Sequence, residues 1–247
     1  MKTFVFASDL HGDHQNREAV QVLLKFCEQY KPDIKIFGGD LFDFRAIRRN
    51  ASKAEQSDSM AADVEAGMEF LDLFQPNIFL RGNHDERIWD VARTTDNGLV
   101  RDAAEMGIKD ITKKVRSIKC RMIPYDSRIG TYRLHGLVFI HGFHAGLYAT
   151  KKHAEVYAPP GGCVLHGHTH SIQSASIARL GSAEGRAVGC LADLNPEYNR
   201  HQTARLMHQH GFAYGVVSPK GWEVFQAKPD SSGVWHTATG ITTWKTG

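Results

Sequence analysis

An α/β fold with a parallel β-sheet is predicted by three features of this sequence of 247 residues. Through roughly the first 80 residues, short apolar runs alternate with longer amphipathic segments in the order strand–helix–strand–helix–strand. Clusters of Asp, His and Asn follow the apolar runs, where ligand-binding residues usually lie in open α/β sheets. The hydrophobic content of 42% and the charged content of 23% are ordinary for a globular protein with a sizeable core.

The first half is predicted to contain three strands and two helices. The strands are 4–7, 34–37 and 78–80, and the helices run from about 14 to 30 and from 60 to 74. Pro32 and Pro76 end the two helices. The core-facing side chains are expected to be Val20, Leu23, Leu24 and Cys27 in the first helix and Val64, Met68 and Leu71 in the second. Right-handed crossovers would bring the carboxyl ends of the three strands to one edge.

The second half is predicted to form a second, mostly antiparallel sheet packed on the first. Its strands are expected at 137–140 and 162–165, and near 171–178, 186–191, 213–217 and 222–226. Because both halves contribute to one site, residues 1–228 are expected to form a single domain. The tail at 229–247 is expected to be loosely held. Two polar stretches, 45–59 and 193–211, are expected to be irregular, the first as a mobile flap.

Composition places few limits on the partner. The formal charge of +3 points to no particular polyanion, and the sequence leaves the oligomeric state open. The four cysteines have no CxxC spacing, which favours reduced thiols in a cytosolic protein over disulfides. The opening apolar run is too short for a signal-peptide core, and no segment is long enough to span a membrane. We therefore expect a cytoplasmic protein.

Five short motifs, each at or near the end of a predicted strand, carry the chemistry. They are Asp9-Leu10-His11, Gly39-Asp40-Leu41-Phe42-Asp43, Gly82-Asn83-His84-Asp85, His141-Gly142 and Gly167-His168-Thr169-His170. Singly, most of them are ordinary turn chemistry. Together they supply carboxylate and amide oxygens and imidazole nitrogens without thiolate, a ligand set that suits Mn²⁺, Fe or Zn²⁺. Two such cations would attract phosphate oxygens and lower the pKa of a shared water.

These motifs resemble the calcineurin-like metallophosphoesterase superfamily, whose pattern D-x-H, G-D-x-x-D, G-N-H-[DE], H and G-H-x-H appears complete and in order. The resemblance covers about two thirds of the chain. It implies a four-layer α/β/β/α sandwich of two mixed β-sheets flanked by helices. It also implies two metal sites joined by a bridging Asp40. One site would be formed by Asp9, His11, Asp40 and His170, and the other by Asp40, Asn83, His141 and His168.

The resemblance also implies roles for residues that do not bind metal. His84 matches the histidine that contacts the phosphate or protonates the leaving oxygen, and Asp85 matches the acidic residue that orients it. Asp43 matches a position that supports the ligands. Arg45 and His144 are further candidates for supporting the ligands or contacting the substrate. The expected cofactors are two divalent ions. Mn²⁺ is the favoured metal, and Fe, Zn²⁺ and Ni²⁺ are the alternatives.

The predicted function is hydrolysis of a phosphate ester, with a phosphodiester favoured, by attack of a metal-bridging hydroxide assisted by His84. A nucleotide or nucleic acid is a candidate substrate. The alternatives are a phosphomonoesterase or protein phosphatase, and a non-catalytic scaffold with the same fold. Ser/Thr protein phosphatases usually have Arg-Gly where this chain has Phe44-Arg45, and Glu where it has Asp85. These departures disfavour a protein phosphatase.

Overall fold

A computed structural model of the chain describes residues 1–178, 181–194 and 207–237, together with the backbone of 244–245. The helices are α1 Arg17–Tyr30, α2 Lys53–Ser57, α3 Met60–Phe74, α4 Glu86–Thr94, α5 Gly98–Ser117 and α6 Ala149–Tyr157. The strands are β1 Lys2–Ala7, β2 Ile34–Phe37, β3 Ile78–Leu80, β4 Arg121–Ile123, β5 Thr131–Leu134, β6 Leu137–Ile140, β7 Cys163–His166, β8 Ile172–Ile177, β9 Ala183–Val188, β10 Phe212–Ser218, β11 Gly221–Pro229, β12 Val234–His236 and β13 Trp244–Lys245.

The strands form two mixed sheets. The first has the order β13-β12-β11-β10-β1-β2-β3-β4, and the second has the order β5-β6-β7-β9-β8. Strands β1 to β4 are parallel, whereas β10 pairs antiparallel with β1. In the second sheet β6, β7 and β9 are parallel, and the edge strands β5 and β8 are antiparallel to their neighbours. Parallel strands thus form one half of the first sheet and the centre of the second, and the ends of these strands can carry ligands.

Alternation of side chains along the strands produces the layers. In β1, Phe4 belongs to the apolar core between the sheets, and Val5 belongs to the core beneath α1, α3 and α5. In β6, Phe139 packs between the sheets and Val138 packs against α6. The layers are therefore helices, first sheet, second sheet and helix, which confirms the predicted four-layer sandwich.

The prediction of a mostly antiparallel second sheet was wrong. The strands expected near 213–217 and 222–226 are β10 and β11, and both belong to the first sheet. Phe212 and Tyr214 of β10 pack on Phe26 of α1, with ring centroids 5.2 and 4.7 Å apart, so β10 lies beneath the same helix layer as β1. Apolar alternation predicts a strand, but it does not say which neighbour the strand pairs with.

The described part of the tail is attached to the first sheet, contrary to the expected loose tail. β12 pairs with β11, and the 2%-exposed Trp235 stacks on Phe212. All four cysteines are free thiols, and three of them are buried. Within the described ranges, no helix has the length and apolar character that a bilayer crossing requires.

Candidate metal centre

The five motifs meet at one end of the sandwich. The first three follow the parallel strands β1, β2 and β3, and the last two follow the parallel neighbours β6 and β7. Since parallel strands end on the same edge, the fold brings together side chains that lie up to 161 positions apart in the sequence, from Asp9 to His170. This convergence was expected for all five motifs: for the first three from the shared edge of their strands, and for the other two from the resemblance and the single site that both halves were expected to form.

Five of the predicted ligands have left-handed backbone conformations. Their φ angles lie between 51° and 66°, in Asp9, His11, Asp40, His168 and His170. This conformation is uncommon for residues other than glycine, although Asp and His adopt it more readily than most. Hydrogen bonds between the loops hold it: Asp9 N donates to Gly39 O and His11 N donates to Asp40 O, both at 2.9 Å. Such strain is typical of functional sites.

Asp9, His11 and His170 form the first group of predicted ligands, and all three are buried. Nε2 of His11 lies 3.0 Å from Nε2 of His170, and the latter lies 3.3 Å from Oδ1 of Asp9. Burial disfavours the Asp9 carboxylate, but the neighbouring His170 and His141 outweigh burial and lower the pKa of Asp9 to about 2. The group is thus preorganised around an ionised carboxylate.

Asp40, Asn83, His141 and His168 form the second group. Nε2 of His141 lies 3.0 Å from Asn83 Oδ1 and 3.3 Å from Asp40 Oδ2. A carboxylate oxygen of Asp40 and nitrogens of His141 and His168 all lie within 4.8 Å of one another. Asp40 also lies near the first group, since its Oδ2 is 3.8 Å from Nε2 of His11. Asp40 therefore stands between the two groups.

The donor atoms of the second group fit a cation. Nδ1 of His141 is 2.8 Å from the carbonyl oxygen of Gly38 and donates to it, so Nε2 of neutral His141 bears a lone pair. This lone pair faces the oxygens of Asn83 and Asp40, and three acceptors repel one another unless a positive charge lies among them. Burial opposes protonation of His141, but Asp40 and Asp9 outweigh burial and raise its pKa to about 9. A divalent cation would meet the same demand for positive charge.

The contact to His84 corrects one expected role. Nδ1 of His84 lies 2.5 Å from Oδ1 of Asp43, whereas the oxygens of Asp85 accept the backbone N–H groups of Phe42 and Gly82 at 2.9 and 2.8 Å. Asp43 therefore orients His84, and Asp85 ties the second motif to the third. The resemblance implied that Asp85 orients the ring, but the loop after β2 brings Asp43 to it.

The arginines near the centre are paired with acceptors of the protein. Both terminal nitrogens of Arg45 bind Asp13 at 2.7 Å, and its Nε binds Asp58 at 2.6 Å. Arg87 donates to the carbonyl oxygen of Asp43, and Arg81 lies 3.3 Å from Glu86. Arg45 therefore fastens the segment expected to be a flap, which contains a 3₁₀ turn and the capped helix α2.

His144 lies beside the centre without joining either ligand group. It is half-buried, and its ring lies 5.1 Å from that of His153. His153 is a site residue that the motifs did not reveal: its Nε2 accepts the backbone N–H groups of Phe143 and His144 at 2.9 and 3.1 Å. This buried side chain of α6 holds the loop that follows His141.

His208 also approaches the centre, although its sequence context is typical of a surface residue. Its ring lies 4.7 Å from that of His170 and is half-buried. The next residue fixes this placement, because Gln209 N donates to His170 O at 2.7 Å and Gln209 O accepts from Cys190 N at 3.0 Å. No periodicity or motif in the sequence signals such a contact.

Comparison with known proteins identifies the family of the chain. The model of the calcineurin-like phosphoesterase family matches residues 2–171, and the chain belongs to that family. The resemblance inferred from the motifs is confirmed. No protein with a curated description matches the sequence.

Several solved structures are similar to this chain. The phosphoesterase YfcE from E. coli is 12% identical, with a TM-score of 0.46 and 98% of each chain covered. A dimetal phosphatase from Danio rerio is 11% identical, with a TM-score of 0.45, covering 91% of this chain and 95% of its own. Vps29 from Entamoeba histolytica, in complex with zinc, is 10% identical, with a TM-score of 0.43 and 92% of each chain covered. At these identities the similarity is one of fold.

Proposed function

We propose that this protein is a metal-dependent hydrolase of phosphate esters that acts with two divalent ions and prefers phosphodiesters. Mn²⁺ is the favoured metal. The observation that supports the proposal best is the pair of ligand groups on either side of Asp40, whose acceptor atoms face one another at 3.0 to 3.8 Å. When bound, the two ions would supply charge for the phosphate oxygens and an acidified water. The residues that would hold them are Asp9, His11, Asp40, Asn83, His141, His168 and His170.

His84 is the residue that would handle the proton of the leaving group. Asp43 accepts the hydrogen bond from Nδ1 of His84, so the other ring nitrogen, Nε2, is available to hold or release a proton. Nε2 lies 3.9 Å from Oδ2 of Asp40, which places it at the edge of the ligand groups, where an ester oxygen would leave. Asp43 would also stabilise the charged ring, as carboxylates do beside catalytic histidines.

The pairing of the arginines supports a phosphodiester over a monoester. A monoester dianion carries one more negative charge than a diester, and phosphate sites usually meet such charge with arginine. Among the described residues near the centre, Arg45, Arg81 and Arg87 are each held by carboxylates or backbone carbonyls. The same pairing weakens the case for Arg45 as a nucleic-acid contact.

The test compares bis-p-nitrophenyl phosphate with p-nitrophenyl phosphate as substrates in the presence of Mn²⁺. We expect turnover of both, with a higher kcat/KM for the diester. His84→Ala should keep the metals and slow turnover by roughly 10²–10⁴-fold, the range for lost acid–base assistance. His236→Ala is the matched control, since His236 lies on β12 and pairs with Asp230.

Three outcomes would each contradict a part of the proposal. A metal-loaded protein that turns over neither ester would favour a non-catalytic role. A His84→Ala variant as fast as His236→Ala would leave hydrolysis standing but remove the role given to His84. A higher kcat/KM for the monoester would reverse the preference for diesters.

A further inference from the structure

Asp63 is a buried carboxylate outside the five motifs, and it contacts the loop that carries Asp43. It lies in the first turn of α3 and is 2% exposed. Its Oδ1 accepts the backbone N–H of Asp43 at 2.9 Å, and its Oδ2 accepts that of Phe44 at 2.6 Å. Successive backbone N–H groups that converge on one carboxylate form an anion-binding arrangement, and Asp63 supplies the anion.

This contact holds a conformation that the chain would not otherwise favour. Phe44 is fully buried and has φ 48° and ψ 39°, which are left-handed values seldom adopted by bulky side chains. The two hydrogen bonds that Asp63 accepts fix the peptide groups on both sides of the Cα atom of Asp43. The direction of the Asp43 side chain is thereby determined.

The loop after β1 packs on the same carboxylate. Gly12 directly follows the predicted ligand His11, and a Cβ atom at Gly12 would lie 1.8 Å from Oδ1 of Asp63. Only a residue without a side chain allows this approach. Asp63 therefore lies at the junction of the loops that contain His11 and Asp43.

Asp63 is an unfavourable choice if its only task is to fill the core. It lies on the buried stripe of α3 with Phe70 and Phe74, where apolar side chains are the norm. Burial raises the pKa of the Asp63 carboxyl; the two backbone N–H groups act against this rise, and Asp43 and Asp13 add to it. A buried carboxylate near other carboxylates destabilises the fold unless its hydrogen bonds compensate for the desolvation.

We propose that Asp63 is a positioning residue for phosphoester hydrolysis, which acts by fixing the backbone of Asp43. The proposal rests on the proposed function. Oδ1 of Asp43 contacts Nδ1 of His84 at 2.5 Å and lies 3.4 Å from Nδ1 of His11, so a displaced Asp43 would disturb both rings. The hydrogen bonds of the Asp63 side chain go to the backbone of Asp43 and Phe44, which are not predicted metal ligands, so its effect passes through Asp43.

The test is a double-mutant cycle of Asp63→Asn and Asp43→Asn, measured as kcat with Mn²⁺ and bis-p-nitrophenyl phosphate. Asp63→Asn places an NH₂ group against one of the two N–H donors, and we expect kcat to fall about 10–100-fold, the range for residues that orient metal ligands. Because Asp63 acts through Asp43, the double variant should be within about 3-fold of Asp43→Asn alone. Glu65→Gln, an exposed carboxylate on the same helix, is the matched control and should equal the wild type.

Melting temperatures and calorimetric Mn²⁺ titrations accompany the kinetics. Two kinetic outcomes would overturn the proposal: an Asp63→Asn variant as fast as Glu65→Gln, or a double variant in which the two losses multiply. If the wild type turns over no ester, the proposed function fails, and Mn²⁺ affinity then decides the role of Asp63. If Asp63→Asn binds Mn²⁺ about 10-fold more weakly than Glu65→Gln, the positioning role of Asp63 is supported. Equal Mn²⁺ affinities would exclude that role. Should Asp63→Asn not fold, Asp63→Ser, which keeps one oxygen acceptor, replaces it.

Discussion

Oδ1 of Asp43 lies 2.5 Å from Nδ1 of His84, although 41 positions separate the two residues in the sequence. Asp85, which directly follows His84, instead accepts hydrogen bonds from the backbone N–H groups of Phe42 and Gly82. The two carboxylates therefore have different tasks. Asp43 orients the ring and stabilises its charge, and Asp85 joins the loops that follow β2 and β3. Substitution of each by asparagine, which has the same shape and no charge, should separate the two tasks.

We expect Asp43→Asn to lower kcat by about 10–100-fold with little change in melting temperature, since the amide can still accept from His84 but carries no charge. The measurement is steady-state kinetics with the p-nitrophenyl esters, together with elemental analysis for metal. If kcat is unchanged and the metal content is full, Asp43 neither orients the ring of His84 nor stabilises its charge during catalysis.

Asp85→Asn should act on stability rather than on chemistry. Its NH₂ group would face one of the two buried N–H donors of Phe42 and Gly82, and the lost hydrogen bond should cost about 1–3 kcal/mol of unfolding free energy. Urea unfolding of the wild type and the variant measures this difference. The opposite result would be wild-type stability together with a kcat as low as that of Asp43→Asn. It would show that Asp85 orients His84 after all.

Gly82 is predicted to be essential for the metal centre because of its distance to Asp40. A Cβ atom at Gly82 would lie 2.1 Å from Oδ1 and 2.4 Å from the backbone nitrogen of Asp40, the residue between the two ligand groups. Gly82→Ala should therefore displace Asp40, and elemental analysis should find less than one metal per chain. Gly98→Ala is the control, because a Cβ atom there meets nothing within 4 Å at the first residue of α5. Full metal content in Gly82→Ala would contradict the placement of Asp40.

Local patterns in the sequence were sufficient to predict the elements that position the centre. The three strands of the first half occupy 2–7, 34–37 and 78–80, close to the predicted ranges. Motif order and strand ends together predicted which side chains would converge, because parallel strands share an edge. The helix expected from about 14 begins at Arg17, after Asn16 caps it by accepting from Ala19 N.

The side chains that support the ligands could not be predicted in the same way. Asp63 lies on the buried stripe of α3 beside Val64, which was expected to face the core and packs against it half-buried. The partners of the Asp63 carboxylate are backbone N–H groups of a distant loop, which helical periodicity does not reveal. The ring of His153 and the carboxylate of Asp43 likewise find partners only in the tertiary structure. Helices α4, α5 and α6 were not predicted either, and the pairing of β10 with β1 depends on packing against α1.

Arg45 is predicted to stabilise the segment after the second motif without binding substrate. Its side chain is 11% exposed and is held by Asp13 and Asp58. Arg45→Met keeps most of the apolar stem, so KM for either ester should change less than about 3-fold. The melting temperature should fall slightly, because Asp13 and Asp58, whose side chains are 29% and 41% exposed, lose a shared partner. Kinetics and thermal unfolding test this together. A large rise in KM without loss of stability would show that Arg45 contacts the substrate.

His153 should make the fold sensitive to acid. Its side chain is fully buried, and burial together with the neighbouring His166, His144, His168 and His141 lowers its pKa from 6.5 to about 2. Below pH 6.5 the unfolded chain takes up a proton that the folded chain does not, so this contribution to stability is complete above pH 6.5 and is lost as the pH falls towards 2. One such group costs about 1.4 kcal/mol between about pH 7.5 and about pH 5.5.

The variant His153→Gln isolates this contribution. The amide oxygen of glutamine can accept the N–H groups of Phe143 and His144 as Nε2 of His153 does, but it does not titrate between these pH values. Urea unfolding at the two pH values should show wild-type stability falling by about 1.4 kcal/mol more than that of the variant, because the other histidines titrate in both proteins. Equal losses would mean that His153 is protonated in the fold or that its ring is not the acceptor holding the loop after His141.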